Sequence, residues 1–451
     1  MTESNVTAFK STAPDRVCII GAGPSGLVAA RQLRYAGIPF DIYEKHSAVG
    51  GIWDPENEGS PIYRTCHFIS SRYTSGFNGY PMPASFPDYP SWRHILGYIR
   101  DFAAKEGLDK LVQFNSRVEQ AELQPDGSWL VTANGQARHY RALIAAPGVT
   151  WHPNVPKLAG QDRFTGEIRH SSTYYDSAEF SGKRVLIVGA GNSGVDIACD
   201  AANSAEAAFI SFRRGYRFVP KHIFGVTLDV FSNYGGKPPA GFVLPEDLDQ
   251  LLDGIVGDVT KLGIAKPDHK ALESHPIVND QIVHYLRHGD IKAKPDIARL
   301  EGRDAIFVDG TREAIDLIVL ATGYDYRLPF LDESLFEWKD NHPSLYLNIF
   351  NRNVDSLYVV GFIEFADAAY RHFEAMAQLI AMDLSLAGAQ KEEFRRMKRE
   401  HRPDLRGGHK YIDTPRHATY VDIHTYCDIL DEVRAKFSQP SLEERYGRFA
   451  T

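Results

Sequence analysis

The chain has 451 residues, a formal net charge of −8 at pH 7, and a composition that is 43% hydrophobic and 24% charged. This length exceeds what one hydrophobic core supports, so two or three domains are expected. The negative charge gives nucleic acid or an anionic membrane no general reason to bind, and no apolar run is long enough to span a membrane. Because the first residues also lack a signal pattern, the sequence predicts a soluble, cytoplasmic protein.

The first predicted strand, residues 17–20, is β-branched and leads directly into a glycine-rich turn and a helical pattern. In such a turn the first glycine makes the bend, the second lets the backbone approach a pyrophosphate, and the third lets the helix pack on the strand. The hexapeptide at 21–26, here called the first fingerprint, therefore predicts a dinucleotide site. Its expected phosphate-binding residues are Gly21, Gly23, Pro24, Ser25 and Gly26.

The next predicted strand, residues 40–43, ends in Glu44, about twenty residues after the first fingerprint. A carboxylate at this position accepts hydrogen bonds from ribose hydroxyls and repels a 2′-phosphate. Glu44 therefore favours an adenosine without that phosphate, as in FAD.

Residues 59–90 are rich in proline, tyrosine and glycine and cannot be regular structure throughout. Long irregular segments of this kind usually lie over a functional site. A helix is predicted over 91–106, followed by strands around 112–118, 121–123, 128–132 and 142–145. The last strand runs into a turn at 146–148, at the strand end where such sheets bind ligands.

A second fingerprint, residues 189–194, follows the apolar strand at 185–188 and also precedes a helical pattern. Two fingerprints, each between a strand and a helix, make a chance match improbable and predict two nucleotides. The expected phosphate-binding residues of this copy are Gly189, Gly191, Asn192, Ser193 and Gly194.

The strand after the second fingerprint, residues 208–212, runs into Arg213 and Arg214, with Lys221 shortly beyond. Cations in place of an acid favour the 2′-phosphate of NADPH over NADH. The alternative is that Arg213 and Arg214 form a solvated corner at a strand end.

The cysteines and histidines exclude two other kinds of site. Cys18, Cys66, Cys199 and Cys427 occur singly, without the cysteine pair that a disulfide reductase needs beside its flavin. The 17 histidines form no HExxH motif or Cys/His cluster, so no metal site is expected.

The remaining elements continue the two predicted domains. Residues 235–268 are expected to form a loop with one short helix at 245–252, as an insertion that covers the substrate side. Strands are predicted at 316–320 and 357–361, a helix at 373–386, and surface helices in the arginine-rich tail at 391–451.

The residues between the fingerprints spell a third motif, FxGxxxHxxxY, from Phe164 through His170 to Tyr174. This motif resembles the identifying motif of the flavin-containing monooxygenases, a group of class B flavoprotein monooxygenases. Further similar segments lie at 50–53, 307–311 and 321–324, so the resemblance extends from about residue 16 to 388.

The resemblance implies an α/β fold with two Rossmann-like domains, the NADPH domain being inserted into a discontinuous FAD domain. The expected ranges are 1–180 for the first part of the FAD domain, 181–325 for the NADPH domain, and 326–451 for the second part with C-terminal helices. Gly51, Ile52 and Trp53 would lie near the flavin. The polar C-terminal residues predict no membrane anchor, and the sequence leaves a homodimer open.

The activity implied by the resemblance is oxygenation by a flavin that NADPH has reduced. O2 would add at the flavin C4a to form a hydroperoxide, which a soft nitrogen or sulfur atom of a small substrate would then attack. A subgroup that inserts oxygen beside a ketone, the Baeyer–Villiger type, usually ends its motif in tryptophan. Tyr174 therefore favours heteroatom oxygenation.

One position departs from the family pattern. The family typically carries an asparagine after a Tyr-Arg pair, where it contacts the nicotinamide and the flavin–oxygen adduct, and here that position is Ile69. An isoleucine side chain cannot donate a hydrogen bond. Either Ser70 or Ser71 takes over, or Asn78 reaches in, or the enzyme releases hydrogen peroxide as an NADPH oxidase or flavin reductase.

Overall fold

The computed structural model describes residues 15–233, 235–245, 248–339 and 341–447. Its strands are β1 (Val17–Ile20), β2 (Phe40–Tyr43), β3 (Val112–Gln113), β4 (Val118–Leu123), β5 (Trp129–Ala133), β6 (Gln136–Tyr140), β7 (Ala142–Ala145), β8 (Glu167–His170), β9 (Arg184–Val188), β10 (Ala207–Ser211), β11 (His222–Ile223), β12 (Val226–Thr227), β13 (Ile291–Lys294), β14 (Ile297–Glu301), β15 (Asp304–Phe307), β16 (Arg312–Ala314), β17 (Leu317–Leu320), β18 (Trp338–Lys339), β19 (His342–Pro343), β20 (Leu345–Tyr346), β21 (Phe350–Asn351) and β22 (Leu357–Val359).

The α-helices are α1 (Pro24–Tyr35), α2 (Trp92–Lys105), α3 (Asn192–Ser204), α4 (Leu228–Asn233), α5 (Leu248–Val256), α6 (Gln281–His288), α7 (Tyr370–Ser385), α8 (Gly388–Glu400), α9 (Ile423–Lys436) and α10 (Leu442–Tyr446). Short 3₁₀ helices lie at Gly51–Trp53, Asp109–Leu111, Gln161–Arg163, Ser171–Thr173, Ser177–Phe180, Val259–Leu262, Ala271–Glu273, Glu333–Leu335 and Pro415–His417.

The first sheet has seven strands in the order β20-β21-β22-β7-β1-β2-β3. The strands from β22 to β3 are parallel, and β20 and β21 add an antiparallel edge. All four residues of β1 are buried, as expected for a parallel strand covered on both faces. Helices α1 and α7 pack together beside this sheet, so the segments before and after the second sheet share one core.

The second sheet has five parallel strands in the order β13-β10-β9-β17-β8. Its outer strand β8 belongs to the third sequence motif and pairs with β17 from Leu317↔Glu167 to Leu320↔His170. This pairing differs from the expected boundary at residue 181, because the motif contributes an edge strand to the second sheet before the chain enters β9.

The two parallel sheets confirm an α/β fold with two Rossmann-like units, in which the second sheet is formed by chain that interrupts the first. Small antiparallel sheets, β4-β5-β6 and β14-β15-β16, extend the two units. Within the first of these, β5 alternates buried and half-buried residues, as expected for a strand with one covered face.

Several predicted elements differ from the structure at their ends. The helix expected at 91–106 is α2, and the helix expected at 373–386 begins three residues earlier as α7. The short helix predicted at 245–252 is α5, shifted toward the C-terminus, and residues 246–247 of that prediction lie outside the described residues. Within the described ranges, no helix is long and apolar enough to cross a membrane.

Candidate functional site

The first fingerprint is shaped by close backbone contacts that only glycine permits. Gly21 has φ +103°, and a Cβ on it would lie 2.3 Å from the carbonyl oxygen of Ala146. A Cβ on Gly26 would lie 1.9 Å from the carbonyl oxygen of Gly21. Both contacts are far below van der Waals distance, so the turn and the helix–strand packing need these two glycines.

The start of α1 is open toward a ligand. Gly23 is its N-cap, Pro24 its first residue, and no side chain caps the helix or adds acidic charge to its first turn. Backbone N–H groups at such an end bind anions. Around Gly23, the nearest atom to an added Cβ is the Cα of Gly51, at 3.6 Å. The residues therefore fit a pyrophosphate at this end of the helix.

Glu44 lies at the end of β2, where it is 5% exposed. One carboxylate oxygen accepts a 2.8 Å hydrogen bond from the Ala22 N–H, and the other accepts a 2.9 Å bond from the His46 N–H. Burial alone would raise the pKa of Glu44, but hydrogen bonds from His46 and the Ala22 backbone outweigh it and lower the pKa. The carboxylate is thus ionised, fixed beside the first fingerprint, and able to accept a ribose hydroxyl.

The segment expected near the flavin forms a 3₁₀ turn, Gly51–Trp53, against the first fingerprint. Gly51 has φ +61°, and a Cβ there would lie 3.1 Å from the Cα of Gly23. Backbone oxygens of this turn accept bonds from outside: Asn57 donates to Gly51 and Ser60 donates to Ile52. The indole of Trp53 packs edge-on against Phe68, 5.2 Å between ring centroids.

The second fingerprint repeats the first in detail. Gly189 also has φ +103°, and a Cβ on it would lie 2.6 Å from the carbonyl oxygen of Ala321. A Cβ on Gly194 would lie 2.2 Å from the Gly189 oxygen. Gly191 is the N-cap of α3, again without a side-chain cap, and so this helix end also fits a pyrophosphate.

The two polar side chains of the second fingerprint have different surroundings. The Asn192 amide donates to the Pro276 carbonyl at 3.1 Å and accepts from the Val278 N–H at 2.9 Å. It therefore ties the loop before α6 to the start of α3, while its backbone N–H stays at the helix end. Ser193 is exposed at the same end.

Of the three cations expected at the 2′-phosphate, two lie together just after β10. Arg213 is exposed, and Arg214 forms a 2.8 Å ion pair with Asp268. Hydrogen bonds from His269 and Arg214 lower the pKa of Asp268 to about 2. Lys221 lies elsewhere, with its ammonium group 5.3 Å from the ring centroid of Tyr89.

The three polar residues considered in place of the usual asparagine fall into two places. Ile69, 37% exposed, follows Phe68, which packs on Trp53. Ser70 accepts a 2.9 Å bond from Ser75. Ser71 is fully buried, and its hydroxyl has no hydrogen-bond partner among the described residues.

Asn78, in contrast, is hydrogen-bonded to residues of α7. Its amide donates to Glu374 at 3.1 Å and to the carbonyl of Arg371 at 3.3 Å. The backbone carbonyl of Asn78 accepts a hydrogen bond from the Arg31 guanidinium at 2.8 Å. The structure thus packs Phe68, the residue before Ile69, against Trp53 of the Gly51–Trp53 turn, and it attaches Asn78 to a buried charged cluster.

The region around the predicted insertion contacts this segment. The Asp229 carboxylate, on α4, accepts bonds from the Ser71 N–H at 2.7 Å and the Thr74 hydroxyl at 2.5 Å. Helix α5 in turn lines a cavity of about 430 Å³ with residues that follow β10. Helix α4, just before the predicted insertion, therefore contacts residues 71–74 of the first domain, and α5 within the insertion lines a cavity with residues that follow β10.

The third motif acts as a junction between strand ends. His170, at the end of β8, has Nε2 3.0 Å from the Gly323 carbonyl oxygen after β17, and its Nδ1 accepts from the Ser172 N–H. Burial lowers the pKa of His170, so the ring is neutral and its Nε2–H donates to Gly323. Tyr174 is buried and donates to Asp200 of α3 at 2.8 Å.

A family model described as flavin-binding monooxygenase-like matches residues 14–389. The chain is 33% identical to flavin-containing monooxygenase 2 of Homo sapiens over 373 residues, which cover 77% of this chain and 69% of that protein. Among solved structures, S-allyl-L-cysteine S-oxygenase from Allium sativum has a TM-score of 0.65 at 21% identity, covering 96% of this chain and 90% of that one.

A cyclohexanone monooxygenase variant from Rhodococcus sp. Phi1, bound to NADP+, has a TM-score of 0.68 at 16% identity, covering 93% of this chain and 97% of that one. The family match spans both fingerprints and the motif between them. The chain therefore belongs to the flavin-binding monooxygenase family and is a flavin-dependent monooxygenase that uses FAD and NADPH.

Proposed function

We propose that this monooxygenase oxygenates a soft nucleophilic nitrogen or sulfur atom of a small organic substrate. Reduced FAD supplies the chemistry, since it activates O2 and transfers one oxygen atom to a nucleophile. The chain's own residues bind the two nucleotides, position them and exclude water. In this assignment Gly21, Gly23, Pro24, Ser25, Gly26 and Glu44 hold FAD, with Gly51, Ile52 and Trp53 near its ring. Gly189, Gly191, Asn192, Ser193, Gly194, Arg213 and Arg214 hold NADPH, whereas the position of Lys221 beside Tyr89 leaves it out of this set.

The observation that carries the choice of a heteroatom substrate is Tyr174. Its ring is 1% exposed, and its hydroxyl donates to Asp200 at 2.8 Å. Because this tyrosine stands where the ketone-oxygenating subgroup has tryptophan, it favours oxygenation of nitrogen or sulfur. The fold is shared both with an S-allyl-L-cysteine S-oxygenase and with a cyclohexanone monooxygenase, so the choice depends on Tyr174 and not on the fold.

A dry flavin pocket is the physical demand of this chemistry, because water and stray protons would release peroxide. Aromatic packing supports it: Phe68 lies against Trp53 at 5.2 Å and against Tyr370 at 5.7 Å. Few acid or base groups are needed, which agrees with a neutral His170 that serves as a structural link.

A second candidate function, an NADPH oxidase that releases hydrogen peroxide, is favoured by Ile69. Its apolar side chain stands at the position of the family's asparagine and can donate no hydrogen bond to a flavin–oxygen adduct. The cytoplasmic location of the protein and its oligomeric state stay predictions from the sequence.

The two candidates are separated by mixing the NADPH-reduced enzyme rapidly with oxygenated buffer and following the flavin spectrum. Under the proposal, a long-lived C4a-hydroperoxyflavin band appears and decays faster when a tertiary amine or a thioether is added. Direct return to oxidised flavin with stoichiometric hydrogen peroxide would instead support the oxidase. Conversion of a cyclic ketone to its ester in preference to the amine and thioether would overturn the heteroatom assignment.

A further inference from the structure

The segment between α8 and α9, residues 401–422, lies beyond the part of the chain that the family model matches, and it joins both nucleotide-binding units. On the side of the second unit, the Ile412 N–H donates to the Glu273 carbonyl at 2.8 Å. On the side of the first, the Val421 N–H donates to the Glu364 carbonyl at 3.0 Å, five residues after β22 ends. The segment is thus hydrogen-bonded to both units, at Ile412 and at Val421.

His417 fixes the middle of this segment. Its Nε2 accepts the His275 N–H at 3.0 Å, so the ring proton is on Nδ1, which donates to Thr414 at 2.7 Å. Burial, and then the nearby Arg416 and Arg214, lower the pKa of His417 to about 4, so the ring is neutral near pH 7. A neutral His417 with a hydrogen bond at each ring nitrogen fixes the position of the short 3₁₀ helix Pro415–His417.

That direction brings Arg416 to the second fingerprint. Its Nη1 lies 4.0 Å from the point where a Cβ on Gly191 would be, and it is the nearest atom there. Gly191 is the uncapped N-cap of α3, where backbone N–H groups face a phosphate. A guanidinium at this distance can bond a phosphate bound to those N–H groups.

The ion pair that Arg416 makes with Glu364 is weak. Among the described residues, its guanidinium makes one ion pair, 3.6 Å from a carboxylate oxygen of Glu364. The Arg416 side chain is 44% exposed and that of Glu364 21% exposed, so the pair is partly in solvent and is screened. Arg416 therefore keeps most of its donors for another anion.

We propose that Arg416 binds the pyrophosphate of NADP(H) at the start of α3, so that the C-terminal segment completes the coenzyme site. The inference rests on the assignment of the second fingerprint to NADPH in the proposed function. It adds a cation from a different part of the chain than Arg213 and Arg214. Because the pyrophosphate is common to NADP+ and NAD+, Arg416 contributes to binding of both, whereas a cation on the 2′-phosphate contributes to NADP+ alone.

The test is the dissociation constant of NADP+ and of NAD+ for the FAD-loaded enzyme, measured by calorimetry with wild type, Arg416→Ala and Arg416→Lys. We expect Arg416→Ala to weaken both coenzymes by the same factor, of at least about tenfold, because charge-assisted hydrogen bonds are lost. Arg416→Lys should regain part of the affinity. Lys410→Ala removes the same charge from an exposed position of the segment and should change neither constant.

Each other result contradicts a specific part of the inference. Unchanged constants in Arg416→Ala would remove Arg416 from the site, and weaker binding of NADP+ alone would place it at the 2′-phosphate. FAD content and Tm are measured for each variant. If Arg416→Ala fails to fold, Arg416→Lys still tests the guanidinium contact through the same two constants, because it keeps the charge and changes only the donor group; affinities equal to wild type for both coenzymes would then contradict the contact. Failure of the wild-type enzyme to bind NADP+ would contradict the proposed function rather than the role of Arg416.

Discussion

The phenolic hydroxyl of Tyr63 donates a 2.8 Å hydrogen bond to Asp196 of α3, and this bond joins the first nucleotide-binding unit to the second. Tyr63→Phe would leave a carboxylate oxygen without this donor, although Asn279 still bonds the other oxygen at 2.6 Å. A hydrogen bond to a charged group contributes about 1.5–3 kcal/mol. We therefore expect a lower Tm for the FAD-loaded Tyr63→Phe variant. Tyr175→Phe, at an exposed ring, is the control, and equal Tm values for both variants would contradict this role of Tyr63.

The effect of a steric clash at a fingerprint glycine can be measured separately from the effect of its positive φ. Gly189→Ala places a Cβ 2.6 Å from the Ala321 oxygen at φ +103°, whereas Gly310→Ala meets nothing within 4 Å at φ +82°. Both variants bear a positive-φ cost of about 1–3 kcal/mol, but only the first distorts the turn. We expect Gly189→Ala to lose NADP+ binding while it retains FAD, and Gly310→Ala to bind both. Normal NADP+ affinity in Gly189→Ala would argue against a coenzyme site at this turn.

The sequence predicted the two sheets because each fingerprint carries its own local cause, a buried strand followed by glycines at fixed spacing. The same logic placed Glu44 beside the first fingerprint, where its carboxylate bonds the Ala22 N–H. These features depend on residues that are close along the chain. They could therefore be predicted without knowledge of tertiary packing.

Features made by residues distant in sequence were not predictable in this way. Nothing local marks Asn78 as a partner of Glu374, 296 positions away, or Arg416 as a neighbour of Gly191. The strand β8 was also placed with the wrong unit, because its pairing with β17 depends on chain 150 residues further on. Long-range packing decided each of these positions.

Glu44 should contribute stability that is lost in acid. Its pKa is lowered in the folded protein, so the contribution is fully present above the unfolded pKa, about 4.3, and is lost as pH falls through the folded pKa. We expect the difference in free energy of unfolding between wild type and Glu44→Gln, with excess FAD present, to be large at neutral pH and to shrink toward pH 3. The exposed Glu56→Gln is the control. A difference that stays constant with pH would show that the charge of Glu44 has no such effect.

Arg213 and Arg214 should determine coenzyme preference. Arg213→Ala and Arg214→Ala remove cations beside the end of β10, and we expect each to raise KM for NADPH far more than for NADH, by about tenfold or more where a charged hydrogen bond is lost. Asp268→Asn is the matched control, since it removes the 2.8 Å partner of Arg214 while it keeps the cation. It should not raise KM for NADPH. Equal effects of the arginine variants on both coenzymes would favour a solvated corner of the strand.

Ser71 offers a test of which residue replaces the family's asparagine. Its hydroxyl is buried without a partner among the described residues, so Ser71→Ala should cost little stability because no hydrogen bond is lost. If this hydroxyl bonds the flavin–oxygen adduct, Ser71→Ala will shorten the lifetime of that adduct and release more hydrogen peroxide per NADPH, with an unchanged Tm. Ile69→Asn restores the amide donor next to Ser71 and should lower peroxide release, whereas Ile69→Leu should not. An unchanged peroxide yield in Ser71→Ala would leave Ser70 as the remaining serine, because its hydroxyl already accepts from Ser75 and can turn its own proton toward the flavin.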